Sequence, residues 1–225
     1  MYLAIKWIFA FVSDFTTRAT RAKFAGGART TADCDRFVHM AAKAPDDSAR
    51  PQLLASETIY EGRVFDITLD SIREGPLEYT REIIRHKGSA VIIPIFDDGR
   101  IALVRQYRHA AREFLLELPA GTLNNGEDPL EGARRELEEE IGVTAENIDK
   151  LCEFYVSPGF LTEKMHLFAA RGLTATAQNL DADEVLSIEY HTLDDLSQMA
   201  RDGRIQDAKT LVGISILAAG TSVTK

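Results

Sequence analysis

At 225 residues, 45% hydrophobic and 27% charged, the chain can bury a substantial core as one large domain or a domain with an appendage. A net charge of −9 argues against a nucleic-acid backbone as a general partner, although a small anion could be held through a bound cation. Cys34 and Cys152 stand far apart and outside any Cys/His ligand spacing, which argues against a disulfide framework or structural zinc and suits a reducing, cytoplasmic compartment.

Residues 1–50 differ from the rest. Tyr2 to Val12 (YLAIKWIFAFV) is apolar, but its 11 residues would make a helix of only ~16 Å, about half of a hydrocarbon core. Residues up to Arg36 are rich in Arg, Thr and Ala, a composition like that of an organelle-targeting segment or an amphipathic surface helix. The simpler reading of residues 1–50 is a poorly ordered extension, closed by the linker KAPDDSARP.

Residues 51–86 read as a small strand region. SETIYEGRVFDITLDSI gives two strands hinged at Gly62, and YTREIIRH gives a third with period-two alternation. Residues 87–225 then read as the main domain. SAVIIPIF (Ser89 to Phe96) is a continuous apolar run, expected as a buried central strand. Asp97-Asp98-Gly99 signals a hairpin into RIALVRQY, and EFLLELP supplies one more strand. KLCEFYVS, KMHLFAAR and EVLSIEYH are further strands, and helices around Leu193–Arg201 and Ala208–Ala219 close the chain. This order, without strict βαβ alternation, predicts an α/β fold: a mixed sheet with helices on its faces, preceded by a small antiparallel N-terminal sheet.

Between these strands lies GTLNNGEDPLEGARRELEEEIGV, residues Gly121 to Val143, dense in acid. Asp128 can cap a helix, Pro129 suits its first turn, and Gly142 can end it. On that helix Leu130, Ala133, Leu137 and Ile141 form an apolar stripe. Glu136, Glu139 and Glu140 share an adjoining face. Converging carboxylates repel unless a cation sits among them, and hard oxygen donors without His or Cys suit Mg²⁺ or Mn²⁺.

The spacing Gly121, five residues, Glu127, seven residues, then Arg135-Glu136-Leu137-Glu138-Glu139-Glu140-Ile141-Gly142-Val143 matches the Nudix box GX5EX7REUXEEXGU at every fixed position. The chain therefore resembles the Nudix hydrolases, which cut a nucleoside diphosphate linked to another group, and the resemblance implies their α/β/α sandwich. It further implies that Glu136 and Glu140 are the principal metal ligands, with the backbone carbonyl of Ala120 a third and Glu139 an additional ligand or a base. Glu127 and Arg135 correspond to an ion pair that fixes the loop, and Gly121 allows close backbone approach at the metal.

VRQYR, ELPAG and SPGFLTE, with Pro158 placed 16 residues beyond Gly142, resemble the ADP-ribose pyrophosphatase subgroup. That likeness implies Mg²⁺-dependent hydrolysis of ADP-ribose to AMP and ribose 5-phosphate. GDP-mannose- or UDP-glucose-type hydrolysis is the alternative, and a non-catalytic ADP-ribose sensor a distant one. Glu163 matches the loop glutamate proposed as general base in the subgroup, leaving the base open between Glu163 and Glu139. Arg81 and Arg108 match positions that hold the substrate, a task suited to the planar guanidinium fork. Phe160 or Tyr107 could stack on adenine. Subgroup members form homodimers through the N-terminal sheet, so residues 51–86 are expected to dimerise. No membrane span is expected.

Overall fold

The computed structural model describes residues 50–180 and 185–220. The extension expected over residues 1–50, including the targeting-like segment, lies outside the described residues apart from Arg50.

Three antiparallel strands form the first sheet in the order β1 (Gln52–Glu61), β2 (Phe65–Glu74) and β3 (Leu77–His86). The hinge expected at Gly62 is the start of the β1–β2 turn, where its N–H donates to Asp66 Oδ1 at 3.1 Å. Gly75, at φ +57°, turns β2 into β3 in the left-handed region that glycine enters freely. Inside this sheet Asp70 is buried and accepts from Ser56 Oγ (2.6 Å), Thr68 Oγ1 (2.9 Å) and Arg85 Nη2 (2.5 Å). Burial pushes its carboxyl pKa up, but these donors outweigh that and hold it below the usual value.

β4 (Ser89–Pro94) is wholly buried, as its continuous apolar run implies. It pairs in parallel with β9 (Lys164–Ala175) and antiparallel with β7 (Ala120–Thr122), while β8 (Val143–Tyr155) closes that sheet beside β9. The third sheet runs β10 (Leu186–His191), β5 (Ile101–Arg108), β6 (Glu113–Glu117). Gly99, φ +82°, makes the hairpin expected before β5. β7 was not expected, being three residues long, and β8 starts seven residues earlier than the apolar segment at Lys150 suggested.

Alternation along β4 explains why both its faces are apolar. Ala90 and Ile92 face the cluster of Ala133, Leu137 and Ile141, contributed by helix α1 (Pro129–Glu136) and the turn that follows it. On the other face Ile93 meets helix α3 (Ala208–Ala218), where a Cβ on Gly213 would lie 3.3 Å from Ile93 Cδ1 and 2.5 Å from Leu118 Cδ1. Helix α2 (Leu193–Arg201) packs beside α3 and opens with a capping box between Thr192 and Asp195. The result is an α/β/α sandwich around a mixed sheet, with the antiparallel β1–β3 sheet ahead of it. Among the described residues no helix is long and apolar enough to cross a membrane.

Candidate active site

Asp128 caps α1 by accepting the Leu130 N–H at 2.8 Å, as its position before Pro129 suggests. The helix does not continue as α to Gly142, however. Leu137–Ile141 form a π turn, ended by Gly142 at φ +70°. Widening a turn keeps the residue four positions on near the same face and carries the residue three positions on further round. Glu136 and Glu140 are accordingly both buried, whereas Glu139 keeps a third of its side chain exposed. Glu139 still stands on the same side as Glu136, since one Arg135 nitrogen reaches both, but at the exposed edge of the face expected for all three. The end of the turn is tied down from the segment after β9, with Gln178 Nε2 donating to Glu140 O and Asn179 N–H to Glu139 O.

Two consecutive backbone units of β7 meet the buried carboxylates. Ala120 N–H donates to Glu140 Oε2 at 3.0 Å. Gly121 lies so close to Glu136 that a Cβ there would fall 1.7 Å from Oε1, so only glycine leaves room for this carboxylate against the strand. The N-terminal side of the cleft is held by Arg135. Its Nε meets Glu127 Oε1 at 3.0 Å, its Nη2 donates to Thr122 O at 3.3 Å, and Glu127 Oε2 also accepts the Asn124 N–H. Arg135 thus lowers the Glu127 pKa, and the hydrogen bond to Glu127 in turn raises that of Arg135.

Arg135 Nη1 also touches Glu136 Oε1 at 2.6 Å and Glu139 Oε2 at 2.8 Å. This nitrogen places one positive group between two acids. As placed, no three acidic, histidine or cysteine side chains among the described residues converge as a finished ligand set. The donor chemistry nevertheless fits a hard divalent ion. It consists of two buried carboxylates, a third that is one-third exposed, and a glycine cradle that a Cβ would fill. Beside Arg135 and Glu139 an open cleft of about 380 Å³ is bounded by Glu138, Ala177 and Asn179.

Glu163 lies next to the start of β4, where Ser89 Oγ donates to its Oε1 at 2.7 Å and His86 Nδ1 stands 3.8 Å away. The preceding loop is less free than its Pro158-Gly159 pair suggests. Ile84 N–H donates to Phe160 O (2.8 Å), Thr162 N–H to Ile84 O (3.0 Å), and His86 N–H to Thr162 Oγ1 (2.9 Å). Pro158 sits in the turn closed by Phe160 and Leu161 N–H groups on Ser157 O. Arg81 is exposed on β3, its guanidinium 4.4 Å from the Tyr79 ring centroid. Arg108 makes a bidentate pair with Glu117 (2.8 and 2.7 Å) while remaining partly exposed. Phe160 and Tyr107 are both about half exposed, Tyr107 packing edge-on against Phe114.

Sequence reasoning did not assign Ser89, nor the buried pair Glu117–Lys209, whose partners lie far along the chain. A lysine in an otherwise apolar helix was the available signal for Lys209. Burial pushes the Glu117 pKa up, but Arg108 and Lys209 together bring it below the usual value.

The NUDIX domain family model matches residues 86–212, which include Ala120, Gly121, Glu127, Arg135, Glu136, Glu139, Glu140 and Glu163 but not Arg81. The chain belongs to the Nudix family. It is a Nudix hydrolase, an enzyme acting on phosphoric anhydride bonds, and such hydrolases generally use divalent metal ions. It is 40% identical to the methanol dehydrogenase activator of Bacillus methanolicus, over 73% of this chain and 90% of that one. It is 35% identical to the ADP-ribose pyrophosphatase of Bacillus subtilis (strain 168), over 76% and 94% of the two chains. GDP-mannose pyrophosphatases of Yersinia also match this Nudix hydrolase, at 33% identity. A crystal structure of an ADP compounds hydrolase shares the fold, with a TM-score of 0.68 at 22% identity, covering 76% of this chain and 94% of that chain.

Proposed function

We propose that this Nudix hydrolase cuts the pyrophosphate of ADP-ribose to AMP and ribose 5-phosphate with Mg²⁺, for which Mn²⁺ can substitute. The observation that carries the reading is the pressing of the Glu136 carboxylate onto Gly121, beside Glu140 on the Ala120 N–H, with a guanidinium nitrogen already bridging Glu136 and Glu139. The relatedness to an ADP-ribose pyrophosphatase over most of both chains supports the substrate.

Glu136, Glu140 and the Ala120 carbonyl would hold the ion, with Glu139 as a further ligand. When bound, it neutralises phosphate charge and acidifies a water. Glu163 accepts the proton of the attacking water: Ser89 Oγ occupies Oε1, which leaves Oε2 to take it. His86 Nδ1 accepts the Gly88 N–H at 3.1 Å, so this nitrogen does not compete as a donor to Glu163. Arg81 and Arg108 bind the substrate's phosphates or base through their planar forks. The Glu127–Arg135 pair fixes the loop behind Gly121. Cys152 carries a free thiol, in keeping with a cytoplasmic enzyme.

A panel of ADP-ribose, GDP-mannose and UDP-glucose with Mg²⁺ and product analysis tests the assignment. ADP-ribose is expected to give the highest kcat/KM, with AMP and ribose 5-phosphate as products. A higher value for GDP-mannose, for which the Yersinia relatives are named, would replace it with the nucleotide-sugar alternative.

We further assign the β1–β3 sheet to a homodimer interface, with Arg81 contributed through it. Every residue of β1 is exposed on a sheet edge, including Leu53, Ile59 and Tyr60, and Leu77 of β3 is 63% exposed. An open, apolar edge of this kind is a template for pairing. Light scattering at micromolar concentration is expected to give twice the chain mass. A fully active monomer would contradict the assignment.

A further inference from the structure

We propose that Lys209 and Thr210, at the start of α3, are positioning residues for the metal-binding turn at residues 117–121. The inference rests on the reading that Ala120, Glu136 and Glu140 hold a divalent ion. The turn is short and bridges two sheets, since Glu117 ends β6 and Ala120 begins β7. One side of it is fastened to the central strand and the acidic helix: Ile92 N–H donates to Pro119 O at 3.0 Å and Ala120 N–H to Glu140 Oε2 at 3.0 Å.

The other side is fastened by α3, with Arg108 of β5 also holding Glu117. Leu118 N–H donates to Thr210 Oγ1 at 2.7 Å, and that hydroxyl donates onward to Asp207 Oδ2 at 2.6 Å. The direction of the hydroxyl is therefore fixed, with Asp207 also capping the helix through the Thr210 N–H at 3.0 Å. Lys209 Nζ reaches the buried Glu117 carboxylate and Asp207 Oδ1 (3.1 Å), so one ammonium joins the end of β6 to the helix cap. Gly213 then lets the helix come down onto Leu118. Thr210 is fully buried and Lys209 6% exposed, so neither group has solvent as a substitute partner. Two residues of α3 thus grip the two residues before Pro119-Ala120. A shift of the turn would move the Ala120 peptide relative to Glu140 and Gly121 relative to Glu136.

The test measures Mn²⁺ affinity by titration calorimetry in the absence of substrate, together with amide exchange of Ala120 in the metal-free protein. Thr210→Val keeps the side-chain shape and removes the hydroxyl. It is expected to weaken Mn²⁺ binding about 10-fold, the scale of losing an outer partner of a ligand, and to speed Ala120 exchange. Thr210→Ser, which retains the hydroxyl, is expected to restore most of the affinity. Lys209→Gln is expected to weaken binding in the same sense, and serves if the valine variant does not fold. A purely structural role would lower Tm and leave the affinity of the folded protein alone. Wild-type affinity in a folded variant, or failure of serine to recover what valine loses, overturns the proposal. If the wild-type protein itself does not bind Mn²⁺, the metal reading fails first and this inference with it.

Discussion

Replacing Glu136 or Glu140 by glutamine is expected to lower kcat by at least ~10²-fold while leaving the protein folded. Charge stabilisation by a divalent ion contributes several kcal/mol, and each ~1.4 kcal/mol is a tenfold change in rate. Both side chains are buried, at 5% and 2% exposure, so a lost charge there has no solvent-borne replacement. Glutamine at 140 still offers an oxygen to the Ala120 N–H, which separates the loss of charge from the loss of that hydrogen bond. The measurement is kcat against Mg²⁺ and Mn²⁺ concentration for each variant, with chelator as control. Undiminished turnover by a folded double variant in chelator would remove the metal assignment altogether.

Glu163→Gln is expected to cut kcat by roughly 10²–10⁴-fold, the range for positioned proton transfer. Its effect on affinity for Mn²⁺ and for a non-hydrolysable ADP-ribose analogue should be small, because Glu136 and Glu140 remain. Glutamine can keep the acceptor that Ser89 Oγ uses, so the expected loss falls on the proton step and not on the anchoring of the loop. A fall in metal affinity with partial rescue by excess Mn²⁺ would make Glu163 a ligand instead. Near-normal kcat at saturating metal would return the base to Glu139.

The box was legible because its geometry is local. Asp128, Arg135, Glu136 and Glu140 act within a few residues of one another, and helical spacing alone puts Glu136 and Glu140 together. The same local rule does not announce that the last turn is π, nor that Glu139 stands at the exposed edge of the face. The strands of the core could be read from alternation and from the two-sided apolar run of β4. β7 could not, because three residues carry no period and its place is set by pairing with Ser89–Val91. The pairs Ser89–Glu163 and Glu117–Lys209 join residues separated by most of the domain, so no spacing rule reaches them. The pairing of Arg108 with Glu117 on one side of its fork was likewise out of reach, since no helical or strand period links positions on two different strands.

The stitching of the Glu163 loop to β3 has a consequence for how this enzyme can diverge. Two of its bonds, Ile84 N–H to Phe160 O and Thr162 N–H to Ile84 O, use only main-chain atoms. Such a seam is largely blind to side-chain identity: apart from proline, which lacks the N–H that residue 84 donates, residues 84 and 160 can be exchanged for others without loosening it. A single inserted or deleted residue on either side would instead slip its register. Point substitutions along the loop can therefore leave Glu163 held at its end. Changes of loop length would instead carry Glu163 off Ser89 and be felt in the N-terminal sheet as well.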